Sequence, residues 1–429
     1  MSKDFLIYGE RKTARLAYIA NELFERRFGL NPKITSDREE FGSFHGPKLN
    51  YSRENLWSCP QIVPASLLFE KRIQDHEIEV RVADALPLLF ADNVNKLGHD
   101  PIAACFYLLS RYEEYIPYRH DDHGRFTSAA SILSKHGAIE IPLVDRYVQR
   151  LQKELEEAYD LKLNQSKFQL EVTVDVDQLL MYKSKGIART LIGGVKDAIV
   201  DQRGLGQRFD VMLGQKRDPL DVYDEIITKC ATVGIKPIFF FQVGETSRYD
   251  INNPIHLPNV INKINGIGVD AEVGIHPSYY TSEQPEMLEK EVERLRIVTS
   301  NTIMRSRQHY LRFRLPSTYR RLEELGIEHD YSMGFSDTNG FRAGTCKPFR
   351  FYDLEREEST GLTVHPLIYM DMVSVRSRDS LSACIEDAHR LKKVVESLGG
   401  VYSTVWHPEV LIGYDVSFPS FEILNSLLA

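Results

Sequence analysis

Phe168 to Asp177 runs a β-branched strand into two carboxylates, Asp175 and Asp177. Successive side chains of a strand point to opposite faces, so these two acids share one face. Like charges that close resist joint ionisation unless a cation, an arginine or a shared proton relieves them. The pair therefore asks for a metal ion, or for a base beside a metal ligand. Other polar residues fall at the ends of candidate strands further along. His276 follows Ala271 to Ile275, and Arg307 and His309 lie at the end of a strand at about 302–308. Asp330 and Ser332 sit within 329–333, and His407 follows Val401 to Trp406.

The elements that must position these groups are legible as patterns. Strands are expected at 168–176, 236–243, 271–276, about 302–308, 329–333, 362–369 and 401–406. Helices alternate with them. Residues 381–398 place Leu381, Cys384, Ile385, Ala388, Leu391, Val394, Val395 and Leu398 at helical spacing, with Ser380 as cap and Gly399-Gly400 past the end. A shorter helix at 317–325 takes Ser317 as its N-cap and stops before Gly326. Strands alternating with helices predict a parallel α/β arrangement, plausibly a closed barrel. In such barrels the chemistry gathers at the C-terminal strand ends.

Ahead of this lies a stretch of different character. Phe5 to Tyr8 reads as a strand followed by a helix bearing Leu16, Ile19, Ala20 and Leu23; residues 30–62 read as loops and short strands. Ile78 to Val82 alternates as a strand does, His99 to Tyr115 reads as a buried helix, and Val144 to Tyr159 as a charged one. Periodicity is lost near residue 160. The expectation is a smaller N-terminal α/β domain, 1–160, of unknown role, then a distorted (β/α)7-type barrel, 161–429.

From about residue 165 onward the chain resembles the polysaccharide deacetylases (NodB-homology, carbohydrate esterase family 4-like), and the N-terminal stretch resembles regions that accompany such barrels in uncharacterised bacterial proteins. Asp175-Val176-Asp177 is similar to the family's first motif, which implies Asp175 as general base and Asp177 as metal ligand. His276 matches the first histidine of the second motif, but Tyr280 stands where a second histidine ligand belongs. Leu325-Gly326-Ile327 is the nearest match to the helix end of the third motif. Counting back from it puts the motif's arginine at Arg307, with Gln308 and His309 in place of prolines. His407 matches the strand-end histidine that protonates the leaving amine. The lost ligand at Tyr280 and the extra histidine at His309 suggest an exchange, giving an Asp177, His276, His309 triad around a divalent metal, zinc by expectation. The resemblance implies hydrolysis of an N-acetyl (or O-acetyl) group on a sugar or glycan precursor. Two rivals stay open: a catalytically lapsed module that binds a glycan or protein, and a metal-dependent hydrolase of small amides or cyclic ureides.

Bulk properties narrow the classes further. The chain has 429 residues, 42% hydrophobic and 27% charged, with net charge −8, which argues against a nucleic-acid binder. No apolar run is long enough for a membrane span, no signal peptide is evident at the N-terminus, and the cytoplasm is the expected compartment. Five scattered cysteines without CxxC spacing disfavour disulfides and zinc knuckles. His120-Asp121-Asp122-His123 has the composition of a metal site but reads as a solvated loop; the basic run through Arg305, Arg312, Arg314, Arg320 and Arg321 reads as a solvated face, with binding of an anionic group on a substrate as the alternative. Phe239-Phe240-Phe241 reads as core, and Gly204-Leu205-Gly206 is no phosphate loop. Gly340 to Thr345 is either a turn needing positive φ or a pocket wall with Arg342 on the substrate.

Overall fold

The computed structural model describes residues 3–55, 57–184, 202–414 and 416–429. Strand β1 (Lys3–Gly9) buries its apolar Phe5 to Tyr8 at the centre of a parallel sheet, between β2 (Leu30–Thr35) and β3 (Lys48–Tyr51). The helix Ala14–Ala20 starts where Thr13 accepts a hydrogen bond from Leu16 N. Strands β4 (Val80–Ala83) and β5 (Leu86–Leu89) form a hairpin turned by Asp84 and Ala85, both at positive φ. The expected helix from His99 is shorter, Pro101–Leu109. It is capped by Asp100 and buried throughout, and it packs against Leu143–Tyr159.

The second part is one mixed nine-stranded sheet that curls. Its strands are β6 (Gln169–Val176), β7 (Ile238–Phe241), β8 (Glu272–Ile275), β9 (Arg305–Ser306), β10 (His329–Met333), β11 (Phe349–Asp353), β12 (Glu358–Pro366), β13 (Tyr369–Met370) and β14 (Val401–Trp406). The order is β11-β12-β10-β9-β8-β7-β6-β14-β13, parallel except for β11 against β12. β12 and β13 belong to one extended run. Its first part pairs with β10 and its last residues with β14; between them Leu367 N donates to Met333 O (2.9 Å) and Ile368 N to Ser403 O (3.1 Å). The two sides of the curl thus meet along a single stretch of chain. Gly274 permits the tight inner wall, since a Cβ there would lie 2.5 Å from the Phe240 ring.

The expected strands fall close to place, with β9 shrunk to two residues and the 362–369 strand split as β12 and β13. Helix Leu381–Glu396 begins with Ser380 Oγ accepting from Ala383 N, as its pattern implies. Ser317 is not a cap: it is the first helical residue of Ser317–Glu324, after Pro316, and Thr318 instead accepts from Arg314 N (3.0 Å). Gly204-Leu205-Gly206 lies inside helix Gln202–Met212. No helix among the described residues is long and apolar enough to cross a membrane.

Side chains from the first 160 residues close against residues 340–357 of the second part, which include β11. Arg111 is wholly buried; it donates to Glu113 and Glu114 carboxylates and to Arg342 O (2.6 Å). Arg342 pairs with Glu114 (2.7 Å) and donates to Gly334 O (2.9 Å). Asp145 takes Arg27, the Thr345 hydroxyl and Cys346 N. Arg342 therefore clasps the two parts together and does not face a substrate, which corrects the pocket-wall reading. The turn reading holds: Gly340 and Gly344 have φ of +139° and +64°.

Candidate metal centre

Asp175 ends the inner face of β6, and Asp177 follows one step beyond the strand, so the backbone alternation delivers both carboxylates to the same mouth. His276 continues β8: its N–H bonds Phe241 O (2.9 Å), and its Nδ1 lies 2.6 Å from Arg307 O. A carbonyl only accepts, so Nδ1 carries a proton, and Nε2 is the nitrogen left to face Asp177 Oδ1, 3.1 Å away. His309 follows β9. Its N–H bonds Pro277 O (3.2 Å), its Nδ1 meets Asp250 Oδ1 (2.9 Å), and its Nε2 lies 3.5 Å from Asp177 Oδ2. Tyr310 and Leu311 then take left-handed φ of 59° and 51°, a strained double turn that presents His309 to the mouth.

Asp177, His276 and His309 each offer a ligand atom, all within 4.8 Å of one another. Among the described residues Asp177 Oδ1 is buried without a hydrogen-bond partner, although an imidazole nitrogen stands beside it. One carboxylate and two imidazoles, each imidazole anchored through its other nitrogen, is a donor set that fits a divalent cation. With no cation, burial works against the Asp177 charge, but His309 and His276 outweigh it and hold the carboxyl well below its usual range. Burial likewise opposes a charged His309, yet Asp177 and Asp250 push its pKa up to about 9.

Beside this trio sits an acid–base pair. Asp175 Oδ1 lies 3.5 Å from Arg307 Nη1, and its Oδ2 lies 3.9 Å from His276 Nε2 and 4.0 Å from His407 Nε2. Arg307 is fully buried over the Phe240 ring, and its Nε and Nη2 have no hydrogen-bond partner among the described residues. Burial pulls its pKa down, with Asp175 opposing. His407 opens the short helix Pro408–Leu411; its Nδ1 meets Asp371 Oδ1 at 2.7 Å. Burial disfavours its charge, but Asp371 prevails and its pKa rises to about 10. Glu409, on the same cavity, is pushed up to about 7 by burial and by Asp177. The cavity over these groups measures 470 Å³.

The structure thus brings together all six residues singled out from the sequence: Asp175, Asp177, His276, Arg307, His309 and His407. Tyr280 lies apart, packed on Tyr249 and Tyr279. Asp330 and Ser332 stay below the mouth. Asp330 is buried, bonded to Ser332 and raised to about 6 by burial, while Ser332 Oγ accepts from Gln308 N and braces that loop. Asp250, Asp371 and Glu409 were missed. Asp371 carried a signal, as a carboxylate directly after a strand; Asp250 sits in a loop without one. The loop 120–126 is not simply solvated, since His123 Nδ1 meets the Tyr279 hydroxyl at 2.9 Å. The arginines of the basic run are paired: Arg305 with Glu272, Arg312 and Arg314 with Glu283, Arg320 with Asp353 and Arg321 with Glu289.

A model of a family of unknown function (DUF7033) matches residues 5–160. No curated protein matches the chain. Among solved structures, a candidate polysaccharide deacetylase from Mycobacterium smegmatis is 14% identical with a TM-score of 0.40, covering 62% of this chain and 84% of that one. Another from Pseudomonas aeruginosa PAO1 is 11% identical with a TM-score of 0.38, covering 61% and 84%. Likenesses this distant decide nothing about the chemistry, which rests on the side chains themselves.

Proposed function

We propose that this chain is a metal-dependent hydrolase that removes an N-acetyl (or O-acetyl) group from a sugar or glycan precursor. In this reading residues 161–429 form the deacetylase-like (β/α)7-type barrel behind an α/β domain, 1–160. The match that ends at residue 160 and the left-handed turn at Asp160 (φ 44°) support that boundary. The observation that carries the reading is the arrangement around Asp177. Two imidazoles, each fixed at Nδ1, aim Nε2 at one carboxylate, next to an acid clamped by a buried arginine and facing a histidine held by another acid. The order of these residues along the chain supports the substrate class through the resemblance of their motifs.

Asp177, His276 and His309 would hold the cation, and their mixed nitrogen and oxygen donors suit zinc. When bound, it supplies Lewis acidity toward water and the acyl carbonyl. Asp175 accepts the proton of the attacking water, and Arg307 holds that carboxylate in place. His407 carries protons on both nitrogens at neutral pH; Nδ1–H is spent on Asp371, and Nε2–H is delivered to the leaving nitrogen or oxygen. The test is acetate release from a panel of N- and O-acetylated sugars by protein of measured metal content, with and without chelator. Release that survives complete metal removal, or none from metal-loaded protein across the panel, sinks the reading.

A further inference from the structure

The loop of residues 120–128, within the stretch that matches the family of unknown function, sends Arg125 into the lining of the same cavity. Their fixings are specific. Gly124 turns the loop at φ +72°, Asp121 Oδ1 accepts from His123 N and Arg125 N (both 2.9 Å), and Arg312 Nε donates to His123 O (2.9 Å). Ser128 Oγ donates to Asp337 (2.8 Å). Within this loop Arg125 is held at two of its nitrogens: Nε donates to Asp121 Oδ2 (2.8 Å) and Nη1 to Tyr310 O (2.8 Å). Its Nη2 makes no hydrogen bond among the described residues, and the side chain lines the cavity.

A second guanidinium lines the same space. Arg376 projects from helix Asp371–Ser377, the helix that begins with the partner of His407. It is exposed and has neither ion pair nor hydrogen bond among the described residues. Tyr310, whose carbonyl takes Arg125 Nη1, lines the same cavity. Arg111 and Arg342, which hold the two parts together, spend all three nitrogens. Arg125 Nη2 and the whole Arg376 guanidinium stay without a hydrogen bond among the described residues, at a cavity where the acids already have counter-charges in Arg307, His407 and the proposed cation. Guanidinium groups donate and never accept, so they match an acceptor-only anion better than a hydroxyl, which needs both roles filled.

We propose that the substrate carries a carboxylate or phosphate group which Arg125 and Arg376 recognise, so that the N-terminal stretch takes part in choosing the substrate. This rests on the hydrolase reading of the cavity, and the two are separable by experiment. Zinc-loaded Asp175→Asn protein is titrated by calorimetry with N-acetylglucosamine, its 1- and 6-phosphates and N-acetylmuramic acid. In parallel, KM for acetate release is measured with the wild type. At least one anionic sugar is expected to bind about tenfold tighter than the neutral parent, the worth of one charge-assisted contact. That ratio should fall toward one in Arg376→Gln, whose exposed position spares the fold, and in Arg125→Gln. Equal affinities in the parent protein overturn the proposal. So does a preference that persists in both variants, which would place the anion on the metal, and so does a lack of binding by every anionic probe. Acetate release without anionic preference removes this proposal and leaves the hydrolase. An arginine-dependent preference without acetate release from any probe does the reverse.

Discussion

At the N-terminal ends of the parallel strands, Glu171, Glu272, Arg305, His329 and His365 border a cavity of 520 Å³; at the C-terminal ends, Asp175, Asp177, His276, His309 and His407 border one of 470 Å³. Both mouths mix acids with imidazoles. In the first, the imidazoles bond each other (His329 Nδ1 to His365 Nε2, 3.0 Å), His365 Nδ1 is left without a hydrogen-bond partner among the described residues, and Glu272 is taken by Arg305 (2.5 Å). Burial then drives His365 down to about 3 and lowers His329. In the second, a carbonyl or carboxylate occupies each Nδ1 and frees each Nε2 to converge, and the acids push His309 and His407 upward. Composition is shared; what separates a site from a polar plug is which nitrogen is already engaged.

The sharpest way to break this comparison is to delete one histidine at each mouth. His309→Ala or His276→Ala is expected to leave the protein with little metal after dialysis and acetate release at background, read by metal analysis and product assay. Retention of stoichiometric metal in both would show that the trio is not the binding set. Asp175→Asn should keep its metal and lose roughly 10²- to 10⁴-fold in kcat, the range for a lost general base. Normal turnover would remove Asp175 from the reaction. The pH profile is the next effect down. His407 titrates at about 10 against an ordinary 6.5, so its acid form persists through neutral pH. The same shift contributes stability in full below about pH 6.5, which is lost as pH rises through about 10. Asp371→Asn should bring the alkaline limb of kcat down by roughly 1–3 units, and an unmoved limb would show that Asp371 does not set it. Smallest is His365→Ala at the other mouth: metal content and kcat should stay as in the parent, with about 1 kcal/mol lost in denaturant unfolding. Loss of metal there would erase the distinction between the two ends.

The six residues gathered at the candidate site were legible because four short strands, β6, β8, β9 and β14, announce them, and strand alternation fixes which side chains share a face. Their partners were not. Asp250 meets His309 across 59 positions and Asp371 meets His407 across 36, distances that no local pattern encodes. The run through β12 and β13 reads locally as one strand, and its change of neighbour at Leu367 depends on how the whole sheet curls. Arg342 misled because a glycine-bracketed arginine looks the same whether it faces a ligand or a buried glutamate 228 residues away. Ser317 misled because a preceding proline had already taken the cap position.

The clasp between Arg342 and Glu114 bears on how this chain could be cut. Residues 161–429 made alone would lay bare a guanidinium stripped of its carboxylate, and a Thr345 hydroxyl and Cys346 amide robbed of Asp145. Each such orphan costs on the order of 1–3 kcal/mol where water cannot reach. A truncation that keeps every side chain of the candidate site would also bare Tyr352, which packs on Tyr18 and Phe106, and with such a wounded flank would tend to clump before it could be assayed.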